Sequence, residues 1–156
     1  MDPKRKIRAI VGRLEGSKMN TSDAIRELAL FEGEFGGLSR ELGQKGDAAY
    51  LLVRDPQQPG RWAVIATPGD RWFSLEVAGG YSIDQFEEDV TDEGMRRAIK
   101  KYVQVALAYF RDSPAPVRGR LTGRSSLRVE TESGDVMLRK SLADDLRDLL
   151  RRRRSS

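Results

Sequence analysis

Residues Arg61–Asp89 read RWAVIATPGDRWFSLEVAGGYSIDQFEED. Trp62 to Ala66 is a short apolar run of β-forming residues. From Arg71 to Val77, Phe73, Leu75 and Val77 alternate against Trp72, Ser74 and Glu76. A period of two marks a strand with one buried face. Pro68-Gly69-Asp70 lies between the runs, and Gly79-Gly80 ends the second. Such residues form tight turns because Pro fixes φ and Gly accepts φ > 0. Strands joined by tight turns pair antiparallel. The stretch therefore predicts an antiparallel meander with one core face and one wetter face. Its last part, Tyr81 to Val90, reads as a loop or short helical turn.

Working back towards the N-terminus, Pro56-Gln57-Gln58-Pro59-Gly60 is a hairpin loop and Ala48 to Arg54 (AAYLLVR) a further strand. Leu38 to Gly46 reads as a glycine-bounded connection. Ala24, Ile25, Leu28, Ala29 and Phe31 form the stripe of a helix with Asn20, Thr21 and Ser22 as capping candidates. Ile7, Ile10, Val11 and Leu14 follow the spacing of another helical face.

Towards the C-terminus, Thr91 caps a long helix. Met95, Ile99, Tyr102, Ala106 and Tyr109 line one side of it, and Pro114 and Pro116 stop it. Asp92 and Glu93 at its start and Arg111 near its end suit the helix dipole. Leu127, Val129 and Thr131, a turn at Ser133-Gly134-Asp135, then Val136 and Leu138 predict a second hairpin. Ser141 to Asp144 resembles a capping box, and Leu142, Leu146, Leu149 and Leu150 form a face of a C-terminal helix. The expected fold is α+β: an antiparallel sheet of about five strands, N-terminal helices, one long central helix and a C-terminal helix. It forms a single domain over residues 1–150, followed by an Arg-rich tail over 151–156.

Composition narrows the chemistry. The chain of 156 residues contains neither Cys nor His. Disulfides, thiolate metal sites, imidazole bases and Ser-His triads are excluded. No Ser is followed three residues later by Lys, so the SxxK arrangement is missing too. No apolar run approaches the roughly 20 residues that span a bilayer, and the basic N-terminus lacks the apolar core of a signal peptide. A cytoplasmic, non-catalytic protein without cofactors is the expectation.

The net charge of +4 is unevenly distributed. Glu32 to Glu93 holds 13 acidic and 5 basic residues, and Gly94 to Ser156 holds 7 acidic and 16 basic ones. The acidic run Asp84, Glu87, Glu88, Asp89, Asp92 and Glu93 reads first as a solvated helix start, next as a protein-binding surface and last as a metal or acid–base site. By alternation Trp72 points away from the core face. An exposed Trp beside acids is an anchor for a protein partner; the alternative is that helices cover both sheet faces and bury it too. The expected partner edge is Trp72, Tyr81, Asp84, Glu87 and Glu88. Arg118, Arg120, Arg124, Arg151 and Arg152 offer the alternative of phosphate-backbone contacts to nucleic acid, against the plainer reading of a solvated face and a solubilising tail. Gly79-Gly80 belongs to no phosphate-loop motif.

From about Asp47 to Leu150 the layout resembles bacterial toxin-immunity proteins, nearest those that neutralise secreted NAD-glycohydrolase toxins. The resemblance rests on the strands around GRWAVIA and DRWFSLEV, the loop into a long helix ending VALAYF, and LRVETESGDVMLRKSLADDL, a hairpin running into a Leu-patterned helix. It implies a cytoplasmic antidote with no catalysis of its own, which plugs or distorts the active site of a cognate toxin.

Overall fold

The structure is a computed structural model and describes residues 3–4, 21–69, 72–86 and 91–140. After residues 3–4 the description resumes with helix α1 (Thr21–Phe31), and a short 3-10 turn, Glu32–Glu34, follows it. Five strands come next: β1 (Ser39–Lys45), β2 (Ala48–Arg54), β3 (Trp62–Thr67), β4 (Trp72–Val77) and β5 (Tyr81–Phe86). Helix α2 (Asp92–Asp112) then leads into β6 (Pro116–Arg118), β7 (Ser125–Thr131) and β8 (Gly134–Lys140).

All eight strands form one sheet in the order β1-β2-β3-β4-β5-β8-β7-β6, and every neighbouring pair is antiparallel. Two meanders are thus joined side by side. The seam is short: among the described residues β5 meets β8 at Tyr81↔Lys140 and Ser82↔Arg139 alone, whereas β7 meets β8 over six pairs, from Ser126↔Arg139 to Thr131↔Gly134.

The expectation of about five strands is corrected to eight, and the physical reason differs at each added strand. Strand β1 lies at a sheet edge, where exposed Arg40 and Glu41 leave no apolar alternation to see. What fits it to β2 is Gly43. A Cβ there would lie 2.7 Å from the Tyr50 hydroxyl, so a bare backbone lets the Tyr50 ring cross it and donate to Glu41 at 2.9 Å. Strand β5 pairs fully with β4, from Val77↔Tyr81 to Trp72↔Phe86, although its sequence is polar. Strand β6 is three exposed residues starting at a proline, at the other edge. No C-terminal helix lies among the described residues. The one expected over 142–150, the helix expected around Ile7 to Leu14 and the tail all fall outside them.

The core lies between the helices and one sheet face. Ala49, Leu51, Val53, Ala63, Ile65, Phe73, Leu75 and Val77 pack with Ala24 and Leu28 of α1 and with Ile99, Tyr102, Val103 and Ala106 of α2. On the second meander Leu127, Val129 and Leu138 join the same cluster. The opposite face is not the wetter one expected. Ala48, Leu52, Trp62, Val64 and Ala66 form a second buried cluster there, and Glu76 is only 3% exposed. Water is excluded from both sides of the central strands, which accounts for their near-continuous apolar runs.

Helix α2 is about 32 Å long at the usual rise per residue. The Thr91 hydroxyl accepts the Gly94 N–H at 3.0 Å, the expected cap. Its far end is closed from the β2–β3 loop. Asp55 Oδ1 accepts the Gln57 N–H at 2.9 Å, knitting that loop, while Asp55 Oδ2 holds the Arg61 guanidinium at 3.5 Å. Arg61 Nη2 donates to the carbonyls of Tyr109 and Phe110 at 3.1 and 2.8 Å. These are carbonyls of the last turn, where intrahelical partners run out; the Tyr109 carbonyl also accepts the N–H of the C-cap Ser113 at 3.1 Å. No helix among the described residues is long and apolar enough to cross a membrane.

Candidate interaction face

The β4–β5 hairpin sorts the expected partner residues. Its turn holds Gly79 at φ +91° and Gly80 at φ +83°, and a Cβ on Gly79 would lie 3.0 Å from the Tyr81 ring. With that register, Trp72, Ser74, Glu76, Ser82, Asp84 and Phe86 share the sheet face turned away from the helices. Phe73, Leu75, Val77, Tyr81, Ile83 and Gln85 share the face turned towards them.

Tyr81 is therefore separated from Trp72 and Asp84 by the thickness of the sheet. It is 7% exposed, its hydroxyl is 2.6 Å from the Ser125 hydroxyl across the seam, and Lys140 Nζ lies 5.5 Å from its ring centre. It holds the two meanders together and offers nothing to a partner. Glu87 and Glu88 lie outside the described residues.

Trp72 is 36% exposed, and it has a companion that sequence reasoning missed. Phe86, 52% exposed, pairs directly across from it with ring centres 5.6 Å apart and planes at 74°, an edge-to-face contact. Next to the pair, the Ser74 hydroxyl donates to Asp84 Oδ1 at 2.6 Å, leaving an exposed carboxylate in a fixed place. The Trp72 backbone is anchored as well. Thr67 Oγ1 donates to its carbonyl at 2.6 Å and accepts the Gly69 N–H at 2.9 Å. Two rings and one carboxylate thus sit on a rigid hairpin. The signal for Phe86 was the equal length of the two strands about Gly79-Gly80, which is invisible while Tyr81 to Val90 is read as a loop.

Among the described residues, the acidic middle of the chain does not form one acidic surface. Glu41 accepts from Tyr50, Asp55 pairs with Arg61, and Glu76 is buried. Glu27 of α1 accepts from Arg96 through both oxygens at 3.0 Å, and that bond holds its carboxyl below the usual glutamate value. Among the described residues no three Asp or Glu side chains gather closely enough to hold a cation.

Strands β6, β7 and β8 of the basic half lie on the same sheet. Arg118, Arg120 and Arg124 are exposed around the β6–β7 loop, near exposed Val117, Leu121 and Met137. Arg139 pairs with Ser82 across the seam, which places it two residues along from Asp84 on the same face. Arg151 and Arg152 fall outside the described residues. The fold thereby sets a cationic end beside the aromatic hairpin. The chain matches no protein-family model and no solved structure.

Proposed function

We propose that the chain is a non-catalytic protein-binding module that docks a partner on Trp72, Phe86 and Asp84. The observation that carries the reading is the edge-to-face Trp72–Phe86 pair, left open to solvent at the end of β4, whose other residues are buried. Aromatic anchors surrounded by polar neighbours supply most of the energy at protein interfaces. The carboxylate of Asp84 favours a partner whose contact rim is basic. The finer reading is a cytoplasmic immunity protein that blocks a cognate bacterial toxin. Its support is the resemblance of residues 47–150 to such factors, together with the absence of Cys and His from the chain.

The test is photo-crosslinking in the native host from a reactive amino acid placed at position 86. A protein adduct that disappears in Trp72→Ala, while the fold is retained, supports the proposal. An adduct of equal yield in Trp72→Ala refutes it. Protection of the host from a neighbouring toxin gene, lost with the same substitution, tests the finer reading.

A further inference from the structure

We infer that the free edge of β1 pairs with a second copy of this chain, so that two sheets join into one across a two-fold axis. The sheet has two edges, β1 and β6, and they differ in kind. Strand β6 is three residues long and begins at Pro116, which has no N–H to donate. Short length and proline are devices that stop a sheet from recruiting another strand. Strand β1 has seven residues and no proline. It pairs with β2 without a bulge, from Ser39↔Arg54 to Lys45↔Ala48.

The register fixes which backbone groups of β1 face outward. The two-residue turn Gly46-Asp47, with Gly46 at φ +58°, closes on the pair Lys45↔Ala48. Such a hairpin has its closing pair hydrogen-bonded, and bonded pairs then alternate with unbonded ones. Lys45, Gly43, Glu41 and Ser39 therefore turn their N–H and C=O groups to β2. Arg40, Leu42 and Gln44 turn theirs away from it. Among the described residues nothing bonds to these outward groups. A row of unpaired donors and acceptors is a template for another strand.

The side chains suit a copy of the same strand. Glu41 and Lys45 share one face of β1 and stand symmetrically about Gly43. Antiparallel pairing of two copies about Gly43 sets Leu42 against Gln44 in both directions, which uses the outward groups of both strands. It also sets Glu41 against Lys45 twice. Those pairs are of the unbonded kind, in which side chains come closest, and opposite charges there attract. Glu41 keeps an oxygen for the contact, since the Tyr50 hydroxyl donates to Oε1. Among the described residues the Lys45 ammonium makes no hydrogen bond or ion pair. Pairing about Glu41 would instead set two carboxylates face to face. A foreign strand would need this charge spacing by chance, whereas a second copy supplies it by symmetry. The axis runs perpendicular to the sheet, so both copies turn the same face outward. Strand β4 and its copy then lie seven strand spacings apart, about 34 Å, with both Trp72–Phe86 pairs on one side. The pairing itself does not depend on the docking role of that hairpin.

The experiment is sedimentation velocity of the full chain over a range of concentrations, at low and at high salt. A reversible dimer that weakens with salt is expected. Gln44→Pro removes an outward donor that bonds nothing within one copy. It should abolish the dimer and leave the circular dichroism spectrum unchanged. Lys45→Glu sets like charges opposite each other at two places and should weaken the dimer roughly tenfold or more. Adding Glu41→Lys to it restores both ion pairs with their signs exchanged and should recover the dimer. If Gln44→Pro fails to fold, the charge exchange decides alone. The inference is overturned if the chain sediments as a monomer at every concentration, if folded Gln44→Pro dimerises as before, or if the double variant associates no better than Lys45→Glu.

Discussion

Arg61 is a single side chain on which the long helix, the β2–β3 loop and two aromatic rings all depend. Replacing it with alanine removes donors to the Tyr109 and Phe110 carbonyls, at 3.1 and 2.8 Å. The Tyr109 carbonyl retains the Ser113 N–H at 3.1 Å, so the greater loss is at Phe110. The guanidinium also stacks 5.6 Å from both ring centres and places a positive charge at the helix C-terminus. Hydrogen bonds from charged donors contribute roughly 1.5–3 kcal/mol each, a charge at a helix end about 0.3–1 and a cation–π contact about 0.5–1. These overlap and do not add. With the side chain 19% exposed, the expected loss is about 3 kcal/mol for Arg61→Ala, and about half that for Arg61→Lys, which keeps the charge and loses the fork. Urea unfolding followed by circular dichroism measures both. A loss below about 1 kcal/mol for Arg61→Ala would refute the reasoning, because no bridging water substitutes for so many roles at once. A second readout is independent of stability. Burial raises the Tyr109 phenol above its ordinary 10.0, and Arg61 works against that shift. The tyrosine's contribution to stability is therefore present below the unfolded value and is lost as pH rises through the folded one. In Arg61→Ala the ultraviolet titration of Tyr109 should move still higher; a downward move contradicts the assignment.

Two further outcomes follow from local geometry. Gly79→Ala forces an L side chain to φ +91° and brings its Cβ to 3.0 Å from the Tyr81 ring. It should destabilise the protein by about 2 kcal/mol in the same urea assay, and a change within about 0.5 kcal/mol would show that the turn relaxes freely. The Glu27 carboxyl, lowered from 4.5 chiefly by its hydrogen bond to Arg96, contributes stability that is present above the unfolded value and lost as pH falls through the folded one. Arg96→Gln should flatten the stability–pH curve in that acidic window; superimposable curves for the two proteins would sink this account.

The apolar and helical parts of this fold were legible because their burial leaves a period. Met95, Ile99, Tyr102, Ala106 and Tyr109 are all buried on α2, and the Thr91 cap is where the spacing put it. The meander of β2, β3 and β4 was legible for the same reason. What escaped was structure held by partners distant in sequence. Strand β1 is set by the register of β2, with Leu42 opposite Leu51. Strand β5 hides because Phe86 falls on the opposite face from Tyr81 and Ile83, which breaks the apolar alternation. The site was half visible. Alternation put Trp72 on the open face, but it takes the hairpin register to bring Phe86 beside it and to send Tyr81 inward. The role of Arg61 had no sequence signature at all, since the carbonyls it serves lie 48 and 49 positions away.

The seam between β5 and β8 has a consequence for how the molecule comes apart. Among the described residues, two residue pairs, the Tyr81–Ser125 hydroxyl contact and the Lys140 ammonium over the Tyr81 ring join the meanders across the sheet. Each meander keeps its own hairpin ladders when that seam opens. The expected outcome of native-state hydrogen exchange is that the two halves open as separate cooperative units. Helix α2, whose residues pack with Phe73 and Leu75 of one meander and with Leu127 and Val129 of the other, acts as the axle between them. Whether the halves unfold together is decided by the grip on that axle, and Arg61 tightens it from one side alone.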